Sequence, residues 1–156
     1  MNPILRNILV LVGGLIAGSI VNISLVNLGP VIIPLPEGAD ISDMEKLAES
    51  MSLFRPINFL FPFLGHAVGT FVGAYLVGRF AVSQKLLLTM LVGVFFLAGG
   101  ISAVNMLGGP MWFNVTDLTL AYIPMALKGA WFSGVFSKKA NDDEAVENET
   151  EGNTEE

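Results

Sequence analysis

The chain contains no cysteine, a single histidine and few charged side chains. Without cysteine it has no disulfides, thiolate nucleophiles, iron–sulfur clusters or thiolate zinc sites. One histidine also leaves a histidine-rich metal site without its ligands. Charged residues make up 14% of the chain, against roughly 25% in ordinary soluble domains. We therefore expect no cofactor and no metal, and a surface too apolar for a soluble protein.

Long apolar runs dominate the 156 residues, of which 53% are hydrophobic and 17 are glycine. Four runs are each long enough, as helices, to cross a hydrocarbon core of roughly 30 Å. They cover residues 8–28, 57–78, 86–107 and 115–136. The last run contains Asp117 and Lys128 and has the weakest hydropathy. The first is longer than the apolar part of a signal peptide, so we expect an uncleaved anchor. The sequence predicts an all-α integral membrane bundle of four transmembrane helices over residues 1–139.

Charge is distributed unevenly along the chain. Residues 140–156 contain eight acidic residues and no Lys or Arg, a composition typical of a disordered tail. Lys and Arg flanking the runs decide orientation. One side of the predicted bundle holds Arg6, Arg79, Lys85, Lys138 and Lys139, and the other holds Lys46 and Arg55. Because five Lys and Arg residues lie on one side and two on the other, we predict that both termini and the acidic tail are cytoplasmic.

The predicted outer loop, residues 29–56, carries a short amphipathic pattern of its own. Prolines at 30, 34 and 36 argue against helix at its start. Ser42 and Glu45 then match a capping box, and four apolar residues follow at helical spacing. These are Met44, Leu47, Ala48 and Met51. We expect a surface helix at about 42–54, more in keeping with a packing cap than with a lid over a pore.

Two spans carry glycine at every fourth position, which lets helices in lipid approach closely. The residues are Gly14 and Gly18 on the first span, and Gly65, Gly69 and Gly73 on the second. Contacts within one chain are the favoured interpretation, and a homo-oligomer through these glycine stripes is the alternative. The remaining expected partner is the lipid bilayer.

Polar residues inside the spans mark a candidate outward polar pocket, because unsatisfied polar groups in hydrocarbon are costly. The candidates are Asn22, His66, Thr70, Asn105 and Asp117. An imidazole beside a carboxylate can hold or relay a proton, so His66 with Asp117 is a hypothesis for a proton or solute site. The competing interpretation makes His66 a neutral packing residue and Asp117 a helix cap.

Enzyme signatures are absent: the chain has no nucleophile elbow, phosphate loop, dinucleotide fingerprint or zinc-protease helix. It also lacks the basic patches that bind nucleic acid. We therefore assign no catalytic residue. The function favoured by the sequence is a non-enzymatic structural or accessory membrane protein. The alternative is a small oligomeric transporter of protons, ions or a solute.

Three segments resemble a family of small bacterial four-span membrane proteins of uncharacterised function. They are His66–Thr70 with Gly73, Phe96–Ile101, and Pro110–Asn114 continuing through Asp117 to Met125. The similarity covers roughly residues 4–136. It implies a location in the bacterial cytoplasmic (inner) membrane and implies no activity, substrate or site.

Overall fold

A computed structural model describes residues 2–137, and this part of the chain is helical with no strand. Six helices are α1 (Pro3–Ile32), α2 (Met44–Ser50), α3 (Leu60–Phe80), α4 (Lys85–Leu107), α5 (Met111–Leu120) and α6 (Ile123–Phe132). Three segments are long and apolar enough to cross a membrane, namely Pro3–Ile32, Pro56–Phe80 and Lys85–Leu107. The predicted all-α class is confirmed for residues 2–137. The predicted acidic tail, 140–156, lies outside the described residues.

The fourth predicted span, 115–136, is not one continuous helix. Two helices of 10 residues each, α5 and α6, replace it, with a break at Ala121 and Tyr122. Pro124 explains the position of the break. Proline has no N–H, and its ring would collide with the carbonyl four residues earlier, that of Leu120. Helix α5 accordingly ends at Leu120. Hydropathy over a window cannot detect this interruption.

The connection between α1 and α3 also differs from the expected one. Helix α1 continues through Pro30 as far as Ile32, and the N–H of Ile33 donates to the carbonyl of Gly29 at 2.8 Å. Proline at 30 therefore sits within the last turn of the helix. The short helix α2 starts at Met44, with Asp43 as its N-cap. The predicted capping role of Ser42 was wrong. We refer to residues 33–59 as the connecting segment.

Helix α3 is central and packs against α1, α4 and α6. The glycines of α3 and α1 let the backbones of the two helices come into contact. A Cβ at Gly73 would lie 2.8 Å from the Gly14 carbonyl oxygen, and one at Gly69 would lie 2.7 Å from that of Gly18. At Gly65 the corresponding distance to the Asn22 carbonyl oxygen is 2.9 Å. All five predicted glycines thus lie in one interface within the chain. A homo-oligomer stays a prediction, since a single chain does not test it.

The core between α3, α4 and α6 is mostly apolar toward the end that carries Arg79, where Thr89 is also completely buried. Ala74, Val77, Val92 and Ala126 are completely buried there. Small residues again permit the approach: a Cβ at Gly93 of α4 would lie 2.7 Å from the Cβ of Ala126. The polar groups of the candidate site described below lie toward the opposite end, which carries α2. We call the two ends the Arg79 end and the α2 end.

Candidate functional site

The first functional feature is a histidine–aspartate pair that joins α3 to α5. His66 Nδ1 lies 2.9 Å from Asp117 Oδ1 and 2.8 Å from Asp117 Oδ2, although the two residues are 51 positions apart. The Asp117 side chain is 3% exposed and that of His66 is 20% exposed. The structure thus brings together the two ionisable residues that the sequence placed in one pocket.

Tyr122, in the break between α5 and α6, completes the network. Its hydroxyl donates to Asp117 Oδ2 at 2.9 Å. Its ring stacks on the imidazole of His66, with the centroids 5.6 Å apart. Gly100 of α4 makes room for it, because a Cβ at that position would collide with the Tyr122 hydroxyl. The Asp117 carboxylate therefore accepts from two donors in an otherwise apolar surrounding, which is how buried charges are tolerated.

The contacts of Asp117 determine the tautomer of His66. The two nearly equal distances fit one Nδ1–H shared between two carboxylate oxygens, which can only accept. A neutral imidazole with Nδ1–H has an unprotonated Nε2. Among the described residues Nε2 has no hydrogen-bond partner, and no buried side-chain nitrogen or oxygen is left unsatisfied. In the neutral ring, His66 Nε2 is therefore an acceptor.

A cavity of about 270 Å³ is lined by His66. Helices α1, α3, α4 and α5 form its walls, and the connecting segment covers it. The covering side chains are apolar: Leu35, Ile41, Leu47, Met51 and Phe54. His66 and Asp117 are among the lining residues, together with three asparagines, Asn27, Asn58 and Asn114. We call this space the α2 cavity. The surface helix predicted from the sequence thus covers a cavity.

Three of the five predicted pocket residues do not line this cavity. Thr70 is completely buried, and its hydroxyl donates to the backbone oxygen of His66 at 2.7 Å. Asn22 packs against Gly65 in the interface between α1 and α3. Asn105 is exposed on α4. Sequence reasoning placed them in the pocket because it counted depth along each helix and could not fix the rotation of one helix against another.

Sequence reasoning counted Asn27 and Asn114 among the polar residues at this end of the spans but missed Tyr122 and Asn58. The only signal for Tyr122 was its position two residues before Pro124. Asn58 closes the start of α3: its amide nitrogen donates to the Pro34 oxygen at 3.3 Å, and its Oδ1 accepts from Arg55 N–H at 3.0 Å. The first of these bonds joins residues 24 positions apart, so a local sequence pattern could not reveal it.

Hydrogen bonds and an ion pair within the connecting segment stabilise its fold above the cavity. The Ser50 hydroxyl accepts from Asp40 N–H at 2.8 Å and donates to the Asp40 oxygen at 3.0 Å. Lys46 Nζ lies 3.1 Å from Asp40 Oδ2. The backbone N–H of Ser42, then its hydroxyl and the Lys46 ammonium, lower the pKa of Asp40 from 3.8 to about 2. This carboxylate is therefore charged at any physiological pH.

Chemically, the site offers a buried carboxylate, an imidazole that it orients, and, in the neutral ring, an acceptor nitrogen on a residue that lines the cavity. Within residues 2–137 no three His, Cys, Asp or Glu side chains come together as metal ligands would. The arrangement suits hydrogen bonding to a small molecule or exchange of a proton at Nε2. No family model, curated protein or solved structure matches the chain.

Proposed function

We propose that this protein is a non-enzymatic accessory protein of the bacterial cytoplasmic membrane that binds a small, largely apolar molecule in the α2 cavity. The observation that carries the proposal is the cavity itself. It combines largely apolar walls with a few polar side chains, among them His66, the combination typical of small-molecule sites. Its volume of about 270 Å³ lies near the lower limit of roughly 300 Å³ for such sites. The ligand is therefore small.

The closed core below the network supports binding rather than passage. Beneath Thr70, Ala74, Val77 and Val92 are completely buried and apolar, and the hydroxyl of the buried Thr89 already donates to backbone oxygens of its own helix. Polar groups in hydrocarbon are needed to stabilise a charged or hydrated species on its way across. The connecting segment covers the cavity on one side and this core closes it on the other, which suits retention of a ligand.

The proposal includes a topology. Helices α5 and α6 together form a fourth, interrupted crossing, each half of 10 residues covering about 15 Å. Broken helices are tolerated in membranes where they line a cavity, as α5 does here. Both termini are then cytoplasmic and the α2 end faces outward. Reporter fusions at Gln84 and after residue 139 should both report the cytoplasm. An external signal at either position would contradict this topology.

Cavity filling tests the binding function. Ala103 lines the α2 cavity, whereas Ala98 on the same helix is exposed outside it. In lipid nanodiscs, n-nonane should shift the NMR signal of the Met51 methyl group in a saturable manner. We expect Ala103→Phe to abolish saturation and Ala98→Phe to preserve it. The exposed Met106 serves as an internal reference for bulk partitioning. Saturation that survives in Ala103→Phe would show that the molecule does not bind in this cavity.

Proton or solute transport is the second candidate, and the His66–Asp117 pair is the observation that favours it. An oriented imidazole can take up and release a proton near neutral pH. Transport would need a second state, or an oligomer, that opens the apolar core. Proton and ion flux into proteoliposomes, wild type beside His66→Ala, separates the two functions. Flux that requires His66 would replace the binding proposal with transport.

A further inference from the structure

The hydrogen-bonding groups of the α2 cavity are biased toward acceptors. His66 Nε2 is an acceptor because Asp117 holds the ring proton on Nδ1. At least one of the two amide N–H groups of each lining asparagine already donates to a backbone oxygen, and the amide of Asn114 contacts two such oxygens. Asn27 donates to Ile23, Asn58 to Pro34, and Asn114 to Gly108. A ligand thus meets more lone pairs than free N–H groups.

Two prolines in the lining increase this bias. Pro30 and Pro62 have no N–H, so the carbonyls four residues earlier, those of Val26 and Asn58, have no α-helical donor. Both Val26 and Asn58 line the α2 cavity. A site built from acceptors selects a ligand that donates, because a ligand acceptor would leave both partners unpaired.

The ligand should be neutral as well as a donor. Both oxygens of Asp117 are occupied, by His66 Nδ1 and the Tyr122 hydroxyl, and its side chain is 3% exposed. So deeply buried a carboxylate offers little surface for pairing with a ligand ammonium. An unpaired charge in this apolar lining would be strongly disfavoured.

We infer that the α2 cavity recognises a small neutral molecule with an apolar body and a hydroxyl group that donates to His66 Nε2. The inference rests on the proposed binding function and specifies its ligand class. A cavity of about 270 Å³ is near the lower limit of small-molecule sites, so the ligand should be small. A small aliphatic or phenolic alcohol satisfies the acceptor and fills the apolar volume.

Two isomers with the same number of atoms test the hydroxyl directly. 1-Octanol and 1-methoxyheptane have the same formula and nine non-hydrogen atoms, but only the alcohol donates. The chain has one histidine, so ¹⁵N-histidine labelling gives unambiguous ring signals in nanodiscs. With both compounds expressed as mole fraction in the lipid, 1-octanol should shift the Nε2 signal in a saturable manner. The ether should bind about fivefold more weakly, the preference that one neutral hydrogen bond supports.

Variants assign the preference to the imidazole. His66→Phe keeps an aromatic ring but removes the acceptor, so both isomers should then bind with the affinity of the ether, measured at the Met51 methyl group. Asn105→Ala, outside the cavity, should retain the fivefold preference. If His66→Phe does not fold, the comparison of isomers on the wild-type protein decides alone.

The outcomes separate this inference from the function on which it rests. Saturable and equal binding of both isomers would overturn the hydroxyl inference and leave the binding function in place. If neither isomer nor n-nonane produces a saturable shift, both the binding function and this inference are contradicted. A preference for the ether would show that Nε2 carries a proton and would also overturn the inference.

Discussion

Replacing Asp117 by asparagine should change His66 Nε2 from a hydrogen-bond acceptor to a hydrogen-bond donor. Both carboxylate oxygens lie within 2.9 Å of His66 Nδ1. The Tyr122 hydroxyl donates to the Oδ2 position, so the amide oxygen should take that position and the amide N–H groups should take the Oδ1 position, 2.9 Å from Nδ1. A proton on Nδ1 is then disfavoured, and the neutral ring should move its proton to Nε2. His66 Nε2 thus changes from an acceptor to a donor.

The energetic consequence can be bounded from the two bonds that change. Asp117 accepts from His66 and from the Tyr122 hydroxyl. Bonds to a charged group are worth about 1.5–3 kcal/mol and neutral ones about 1 kcal/mol, so the loss is at most about 4 kcal/mol. Relief from burying a charge, itself several kcal/mol, offsets this loss. The free energy of unfolding is therefore a poor measure of the change, whereas the tautomer of His66 reports it directly.

The assay is ¹⁵N NMR of the single histidine in nanodiscs, with one-bond N–H couplings to identify the protonated nitrogen. We expect Nδ1–H in the wild type and Nε2–H in Asp117→Asn. Asp43→Asn makes the same chemical change at the N-cap of α2, at an exposed position, and should leave the ring unchanged. A proton that remains on Nδ1 in Asp117→Asn would refute the reasoning from the two distances.

Three further predictions concern packing, the network and the connecting segment. Gly69→Ala should destabilise the protein by about 1–3 kcal/mol in detergent unfolding, because its Cβ would lie 2.7 Å from an α1 carbonyl oxygen. Gly99→Ala has nothing within 4 Å and should be neutral or stabilising by up to about 1 kcal/mol. Tyr122→Phe removes a donor to the buried Asp117 and should cost about 1–3 kcal/mol in the same assay. Asp40→Asn should loosen the connecting segment at neutral pH. Because folding lowers the pKa of Asp40 from 3.8 to about 2, its contribution is full above pH 4 and lost as pH falls toward 2. Wild-type and variant NMR spectra of the connecting segment should therefore converge in that range, and spectra that differ equally at pH 2 would contradict this assignment.

Sequence reasoning was strongest where one physical property dominated. Length and apolarity sufficed for the three candidate spans, because the requirement is simply about 20 apolar residues in a row. Glycine spacing predicted close helix contacts, since a stripe of small residues is a property of one helix. The interruption at residues 121–122 was not predicted. Its cause, Pro124, is a single residue whose effect averages out over a hydropathy window.

The candidate site shows why that interruption matters for function. In a continuous α-helix, residues five positions apart are rotated by about 140° around the axis, so Tyr122 would point away from Asp117. The break before Ile123 releases Tyr122 from this rotation, and its hydroxyl reaches Asp117 Oδ2 at 2.9 Å. The carboxylate so fixed favours the proton on His66 Nδ1 and leaves Nε2 as the acceptor of the neutral ring, on a residue that lines the cavity. The proline that makes the fourth span a poor transmembrane helix thus permits the contact that orients the histidine.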